Sequence, residues 1–228
     1  ALGAVLELSG EPEAARAIYE GMAASSRDER VAAAALQRMA QGEPAALPVA
    51  DASAGTAEAL FSIAAALGSD RNAAVALLYA RVALALRPEL HEARLLVAGL
   101  LDAQGQEEAA VEAFQVVPRR SPLFISAELG RADALMALER QDEAVVVLES
   151  LSAAYPSELD AQLGLAAALR RTERWTDSAA AYDRALDLIE PIERRHWSVF
   201  YERGIAHERA GDWPDAEADF QRALELSP

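Results

Sequence analysis

The sequence predicts an all-α fold in which pairs of helices form hairpins that stack as an α-solenoid. Apolar residues recur with a helical period of 3.6 through most of the 228 residues, and no stretch alternates as a β-strand would. One pattern of small, aromatic and proline positions returns at an interval close to 34 residues. A unit of that length cannot bury its own hydrophobic face, so neighbouring units are expected to stack around a shared core.

The pattern is clearest in residues 197–228, which contain two helical segments joined at Gly211. The residues that share one face of each segment are Phe200, Gly204 and His207 in the first and Ala216, Phe220 and Ala223 in the second. Gly204 and Ala216 are small at the point where the two helices would have to cross closely, and Phe220 would fill the space beside them.

This spacing resembles the tetratricopeptide repeat, a helical hairpin of about 34 residues with characteristic small, aromatic and proline positions. The matching residues of the last copy are Phe200, Gly204, Gly211, Ala216, Phe220, Ala223 and Pro228. The same phase recurs at Ser178, Tyr182 and Ala185; at Ala144, Leu148, Leu151 and Pro156; at Gly105, Ala110, Phe114, Val117 and Pro122; at Ala76, Ala80, Ala83 and Pro88; and at Leu2, Gly3, Gly10, Ala15 and Tyr19. The chain is identified as a member of this family.

The domain organisation follows from the phase of the repeats. A single array is expected, with a partial repeat in 1–27, a lone helix and an irregular segment in 28–55, and complete repeats in 56–89, 90–123, 124–157, 158–194 and 195–228. Helices after the irregular segment are expected at 56–68, 72–87, 90–104, 107–119, 123–139, 141–154, 158–171, 175–189, 195–210 and 213–226. About thirteen helices are expected in all.

The irregular segment at 42–55 has two prolines and no helical period. Asp28 is expected to cap the helix before it. Two interpretations of the segment stay open. Leu47 and Val49 fill the space left by a missing helix, or the segment lies across the concave face of the array as a bound peptide would.

Composition excludes several classes of function. The net charge of −16, from 37 acidic and 21 basic residues, argues against nucleic-acid binding, because phosphates would be repelled. The acidic surface is explained by solubility or by a basic partner. The sequence contains no run of about 18 apolar residues, the length that a membrane-spanning helix needs. A soluble protein of the cytoplasm or the periplasm is therefore expected. Alanine-rich composition and the use of Arg over Lys suggest a bacterial source.

The two ends of the pattern lead to an expectation about the whole protein. The repeat starts within its first helix at Ala1 and stops at Pro228 without a polar capping helix, so a longer protein is expected. The face around Ala216 and Leu224 is then expected to be uncovered and to favour self-association.

No catalytic, cofactor or metal site is predicted. His196 and His207 are separated by about 16 Å along a helix, which is too far to share an ion, and His207 is expected to be half-buried in the core. His91 is expected to be a partly exposed residue at a helix start. No nucleophile elbow or phosphate-binding loop is present. The chain is therefore expected to be non-enzymatic.

The family resemblance implies a right-handed superhelix whose concave groove is lined by the first helix of each repeat and binds protein segments. Carried over position by position, the groove residues are Phe61, Leu95, Leu129, Leu163 and Tyr201, with Asp133, Met136, Arg170 and Glu208 further along the same helices. None of these is Lys or Asn, so the carboxylate clamp of some family members is absent. Arg170 is expected to pair with an acidic residue of the ligand.

The resulting functional hypothesis is a non-enzymatic scaffold that binds a partner protein or peptide segment in its groove. Two alternatives stay open at this point. In one, the array is only a spacer within a larger bacterial export or envelope-assembly protein; in the other, it is a regulatory module fused to a catalytic domain.

Overall fold

The fold consists of α-helices and short connections. The structure is a computed structural model that describes residues 2–24, 29–45, 49, 51–68 and 72–227. Its thirteen α-helices are α1 Leu2–Leu8, α2 Pro12–Ala23, α3 Glu29–Ala40, α4 Ala52–Leu67, α5 Ala73–Leu86, α6 His91–Asp102, α7 Glu107–Gln115, α8 Phe124–Ala137, α9 Gln141–Ala154, α10 Leu159–Arg171, α11 Trp175–Asp187, α12 Trp197–Ala210 and α13 Trp213–Leu226, with a 3-10 turn at Arg194–His196. No strand occurs in these residues, so the all-α prediction is confirmed.

The chain divides into two compact units, residues 1–127 and residues 128–228. In the first unit, α1 packs on α2, α2 on α3, and α4 to α7 pack each on the next. In the second unit, α9 to α13 pack in the same consecutive order. Each unit is thus a run of neighbouring helices, as a stack of hairpins requires.

Two close helix crossings occur where a glycine faces an aromatic ring sixteen positions later in the chain. A Cβ atom on Gly204 would lie 2.8 Å from Cε1 of Phe220, and a Cβ atom on Gly3 would lie 2.5 Å from Cζ of Tyr19. The equivalent first-helix positions of the other repeats carry alanines exposed by no more than 1%, namely Ala64, Ala98, Ala132 and Ala166. The small-residue positions recognised in the sequence therefore set how closely the helices approach.

Two predicted helices have different bounds in the structure. The helix expected at 56–68 begins at Ala52, because the Asp51 side chain accepts a hydrogen bond of 2.8 Å from the Ala54 N–H and caps the helix. The helix expected at 107–119 ends at Gln115, where two β-branched residues and Pro118 follow. The remaining bounds after the irregular segment agree within two residues.

The interpretation of 42–55 as a buried plug is not supported by Val49. This side chain is 48% exposed, and its Cγ1 atom lies 3.1 Å from the place where a Cβ of Gly55 would be. Val49 therefore lies against the first turns of α4 and not in a core. Asp28 and Leu47, the other residues of these predictions, lie outside the described residues.

Only part of the face of α13 that was predicted to be uncovered is exposed. Leu224 is 65% exposed as expected, but Ala216 is 2% exposed because it faces α12 at the close crossing. The prediction of an uncovered Ala216 was wrong. Among the described residues, no helix is both long and apolar enough to cross a membrane.

Candidate protein-binding site

The predicted groove residues fall into both compact units. Phe61 and Leu95 lie in the first unit, and the other seven lie in the second. Phe61 is half-buried and packs against the core cluster formed by Ala57, Ala83, Leu90 and Ala93. Much of its side chain therefore belongs to the hydrophobic core of residues 1–127, and Leu95 is also half-buried.

In the second unit, the structure brings three of the predicted residues to one pocket between α8, α9 and α10. The pocket has a volume of about 80 Å³. Its lining consists of Leu129, Ala132, Asp133, Met136, Leu148, Gly164, Ala167, Ala168 and Arg171. The floor is apolar, since Ala132, Leu148 and Ala168 are all buried.

Small residues on α10 explain why this space exists. A Cβ atom on Gly164 would lie 2.8 Å from Cδ2 of Leu129 and 3.4 Å from Cδ2 of Leu148. Ala167 and Ala168 follow one turn later and add only a methyl group each. Helix α10 therefore lies close to the leucines of α8 and α9 and leaves an opening beyond them.

The depths of Leu129 and Met136 differ from those expected of an open groove. Met136 is only 4% exposed, so it can contact a ligand only through the pocket that it lines. Leu129 is half-buried because its end packs on Gly164. The repeat position alone does not show how far the facing helix covers a side chain.

Two charged residues form the open side of the pocket. Asp133 and Arg171 are the exposed members of the lining, while the others are buried or half-buried. Arg171 lies in the last turn of α10. It makes no hydrogen bond or ion pair within the part of the chain that the structure describes, whereas Asp133 already interacts within the protein. Sequence reasoning missed Arg171, although it is the neighbour of the predicted Arg170.

Arg170 takes part in a contact inside the protein. Its Nε atom lies 2.8 Å from Oε2 of Glu202 on α12. Both atoms are shielded from solvent, but they are not aligned as a hydrogen bond, so the contact is best described as an ion pair. Arg170 therefore already has a carboxylate partner inside the protein, and its pairing with an acidic residue of a ligand stays a prediction.

The buried Tyr182 belongs to the same group of residues. Burial raises the pKa of its hydroxyl, and the negative charge of Glu202 raises it further, while a hydrogen bond with Arg170 acts in the opposite direction. Arg170, Glu202 and Tyr182 thus connect α10, α11 and α12.

An aromatic surface lies at the start of α12. Trp197 and Tyr201 are 41% and 45% exposed, and their ring centroids are 6.1 Å apart. The Tyr201 ring also lies 5.8 Å from the half-buried ring of Phe220. Both side chains are therefore accessible, and the ring of Phe220 packs against Tyr201 on its inner side. Leu163 and Glu208, the remaining predicted residues, are half-buried.

A second charged region joins α11, α12 and α13. The Arg203 guanidinium donates hydrogen bonds to both carboxylate oxygens of Asp219, which is only 4% exposed, and to Asp183 at 2.7 Å. Burial alone would lower the pKa of Arg203, but these two carboxylates raise it.

Beside this network lies a group of three side chains that the spacing of the histidines alone did not predict. His207, Asp212 and Asp215 place their side-chain nitrogen and oxygen atoms within 4.8 Å of one another. Asp212 and Asp215 lie at the N-terminal end of α13, where carboxylates stabilise the helix dipole. His207 is half-buried, as predicted.

Comparisons with known proteins agree with this geometry. A tetratricopeptide-repeat family model matches residues 157–228. Among solved structures, residues 41 to the end of MamA from Desulfovibrio magneticus RS-1 are 23% identical, with a TM-score of 0.62 over 75% of this chain and 94% of that one. The structure of YrrB, described as a tetratricopeptide-repeat protein with an unusual peptide-binding site, is 15% identical, with a TM-score of 0.58 over 79% of this chain and 94% of that one. No curated protein matches the sequence.

At these identities the solved structures show the fold alone, while the family model adds evidence from the sequence itself. The residues that it matches include the close crossing of Gly204 with Phe220. The resemblance is thereby confirmed for residues 157–228, which match the tetratricopeptide-repeat family by sequence.

Proposed function

We propose that residues 128–228 bind a segment of a partner protein on the surface formed by the first helices α8, α10 and α12. The observation that carries this proposal is the exposure of two neighbouring aromatic side chains, Trp197 at 41% and Tyr201 at 45%. The rest of the chain is rich in charged residues that would suit an exposed position better. Exposed aromatic side chains held in place by neighbouring rings are typical of the residues that dominate protein interfaces.

The chemistry of this surface suits a peptide or protein segment. Tyr201 offers a ring for apolar contact and a hydroxyl that can bond to a partner backbone. The pocket beside Leu129 adds a recess for a side chain. YrrB is described as having a peptide-binding site, and we extend this class of ligand to the present protein.

The proposal is tested by photocrosslinking in the native host. A benzophenone amino acid is placed at position 201 or 163, and at position 146 as the control. Val146 is 60% exposed and lies on the second helix α9. Crosslinks from positions 201 and 163 to one segment of the same partner, without that product at position 146, would support the proposal. Equal crosslinking from position 146 would contradict it.

A further inference from the structure

We propose that the pocket between α8, α9 and α10 is a specificity site that accepts one aliphatic side chain of the partner segment, with a single acidic residue beside it held by Arg171. This inference rests on the proposed function and adds to it the chemistry of the ligand. Its evidence is the volume of the pocket, the burial of its lining and the charges on its open side.

The volume of the pocket limits the size of the partner side chain that it can accept. A cavity needs about 10 to 15 Å³ to hold one water, and a cavity of about 150 Å³ holds benzene. The pocket of about 80 Å³ lies between these values. It is suited to a side chain with three or four carbon atoms, such as Val, Leu or Ile, and is too small for Phe or Trp.

The lining selects an apolar group. Ala132, Met136 and Leu148 are at most 4% exposed and place only hydrocarbon and thioether atoms towards the space. A polar side chain placed among them would lose its hydrogen bonds to water without replacement. The flexible side chain of Met136 can adjust to partner side chains of slightly different shape.

Arg171 supplies the electrostatic part of the recognition. In an acidic unit where most arginines form ion pairs, such as Arg131, Arg140 and Arg174, this guanidinium has no such partner among the described residues. Asp133, the other charged lining residue, already interacts within the protein. Charge complementarity therefore places one carboxylate of the ligand next to Arg171.

The net charge of the protein limits this preference to a single acidic residue. The chain carries −16, so a run of acidic residues would be repelled by the surrounding surface. Screening over about 8 Å at physiological ionic strength weakens the effect of distant acidic residues, and Arg171 is the cation that lines the pocket. The partner motif is thus an aliphatic residue with one Asp or Glu within a few positions.

The test uses a displayed library of random peptides selected on the purified chain, followed by affinity measurements on the selected peptides. Enrichment of an aliphatic residue with one neighbouring acidic residue is expected. Ala167→Leu fills the pocket from its half-buried wall and is expected to weaken these peptides about tenfold or more. Arg171→Glu is expected to weaken them about two- to fivefold, the range of an exposed ion pair.

Arg209→Glu is the matched control for the charge change. Arg209 is also an exposed arginine in the last turn of its helix, and it makes no hydrogen bond or ion pair with the described residues. Its reversal is expected to leave the affinity of the peptides unchanged. Thermal melts of all three variants show whether a loss of binding reflects unfolding, and Arg171→Glu remains informative if Ala167→Leu is unstable.

Three results would overturn the inference. The peptides could lack the aliphatic and acidic pair, could retain full affinity for both pocket variants, or could respond equally to Arg171→Glu and Arg209→Glu. If peptides bind and lose affinity on Tyr201→Ala while ignoring both pocket variants, the inference fails and the proposed function stands. If no peptide is selected at all, both fail.

Discussion

The ring of Phe220 lies over Gly204 so closely that a Cβ atom on the glycine would be 2.8 Å from Cε1 of the ring. Ala216, one turn before Phe220 on the same face of α13, is also buried. The absent side chain of Gly204 thus sets the distance between the two helices, and Phe220 then supports Tyr201 at the exposed aromatic surface.

Gly204→Ala should therefore destabilise the protein although alanine favours helices. Forcing a methyl group against Phe220 is expected to cost about 1 to 3 kcal/mol of unfolding free energy. Gly99→Ala is the control, because this helical glycine has no atom within 4 Å of its would-be Cβ. It should stabilise by about 0.5 to 1 kcal/mol. Urea unfolding measures both, and equal effects of the two changes would contradict the crossing described here.

The Arg170–Glu202 ion pair should contribute little to stability and should depend on salt. Both side chains are about one third exposed, at 31% and 33%, and pairs of this kind contribute about 0 to 1 kcal/mol. A double-mutant cycle with Arg170→Met and Glu202→Gln should give a coupling energy in that range that falls in about 1 M salt. A coupling energy that salt does not change would show that the pair is more deeply buried than described.

Low pH should remove the stabilisation that the Glu7 carboxylate gives to the first unit. This carboxylate accepts hydrogen bonds from Arg38 on α3 and from Tyr19 on α2. The hydrogen bonds from Arg38 lower the pKa of Glu7 below 4.5, and the hydrogen bond from Tyr19 lowers it further. Burial of the carboxyl group raises this pKa, but by less than the Arg38 bonds lower it. A lowered folded-state pKa stabilises the protein above pH 4.5, and this stabilisation is lost as the pH falls through the folded-state value.

Thermal melts of the wild type and Glu7→Gln over a pH series measure this effect. The difference in melting temperature should be present at neutral pH and should shrink below about pH 4.5. Glu13→Gln is the control, since the Glu13 side chain is 89% exposed, and it should change the melting temperature at neutral pH much less than Glu7→Gln does. A Glu7→Gln difference that persists at low pH would contradict the ionic origin of the contribution.

The hairpins could be predicted from sequence because the repeat fixes which positions must be small. Gly3 with Tyr19 and Gly204 with Phe220 show this relationship sixteen residues apart. The start of α4 was missed because residues 42–55 contain two prolines and show no helical period, although Asp51 caps a helix that begins four residues before Thr56 and includes Gly55. A local capping hydrogen bond thus outweighed the low helix propensity of one glycine.

The candidate site could be predicted only in outline. Tyr201 is exposed, as a groove residue should be, and so is Trp197, because both lie beside the core positions of α12 and not on them. The depth of Met136 and the pairing of Arg170 with Glu202 depend on the helices that face them, which helical periodicity does not describe. Arg171 was missed for the same reason, since a cation without a partner can be recognised only when its surroundings are known.

The central claim, that the face of α8, α10 and α12 within residues 128–228 binds a partner segment, is tested most directly by calorimetric titration of the crosslinked segment. Tyr201→Ala should weaken its affinity about 5- to 150-fold, a cost of about 1 to 3 kcal/mol, with little change in melting temperature because the side chain is 45% exposed. Val146→Ala, which shortens an apolar residue 60% exposed on α9, should leave the affinity unchanged. Equal affinity of the wild type and Tyr201→Ala for the segment would contradict the account.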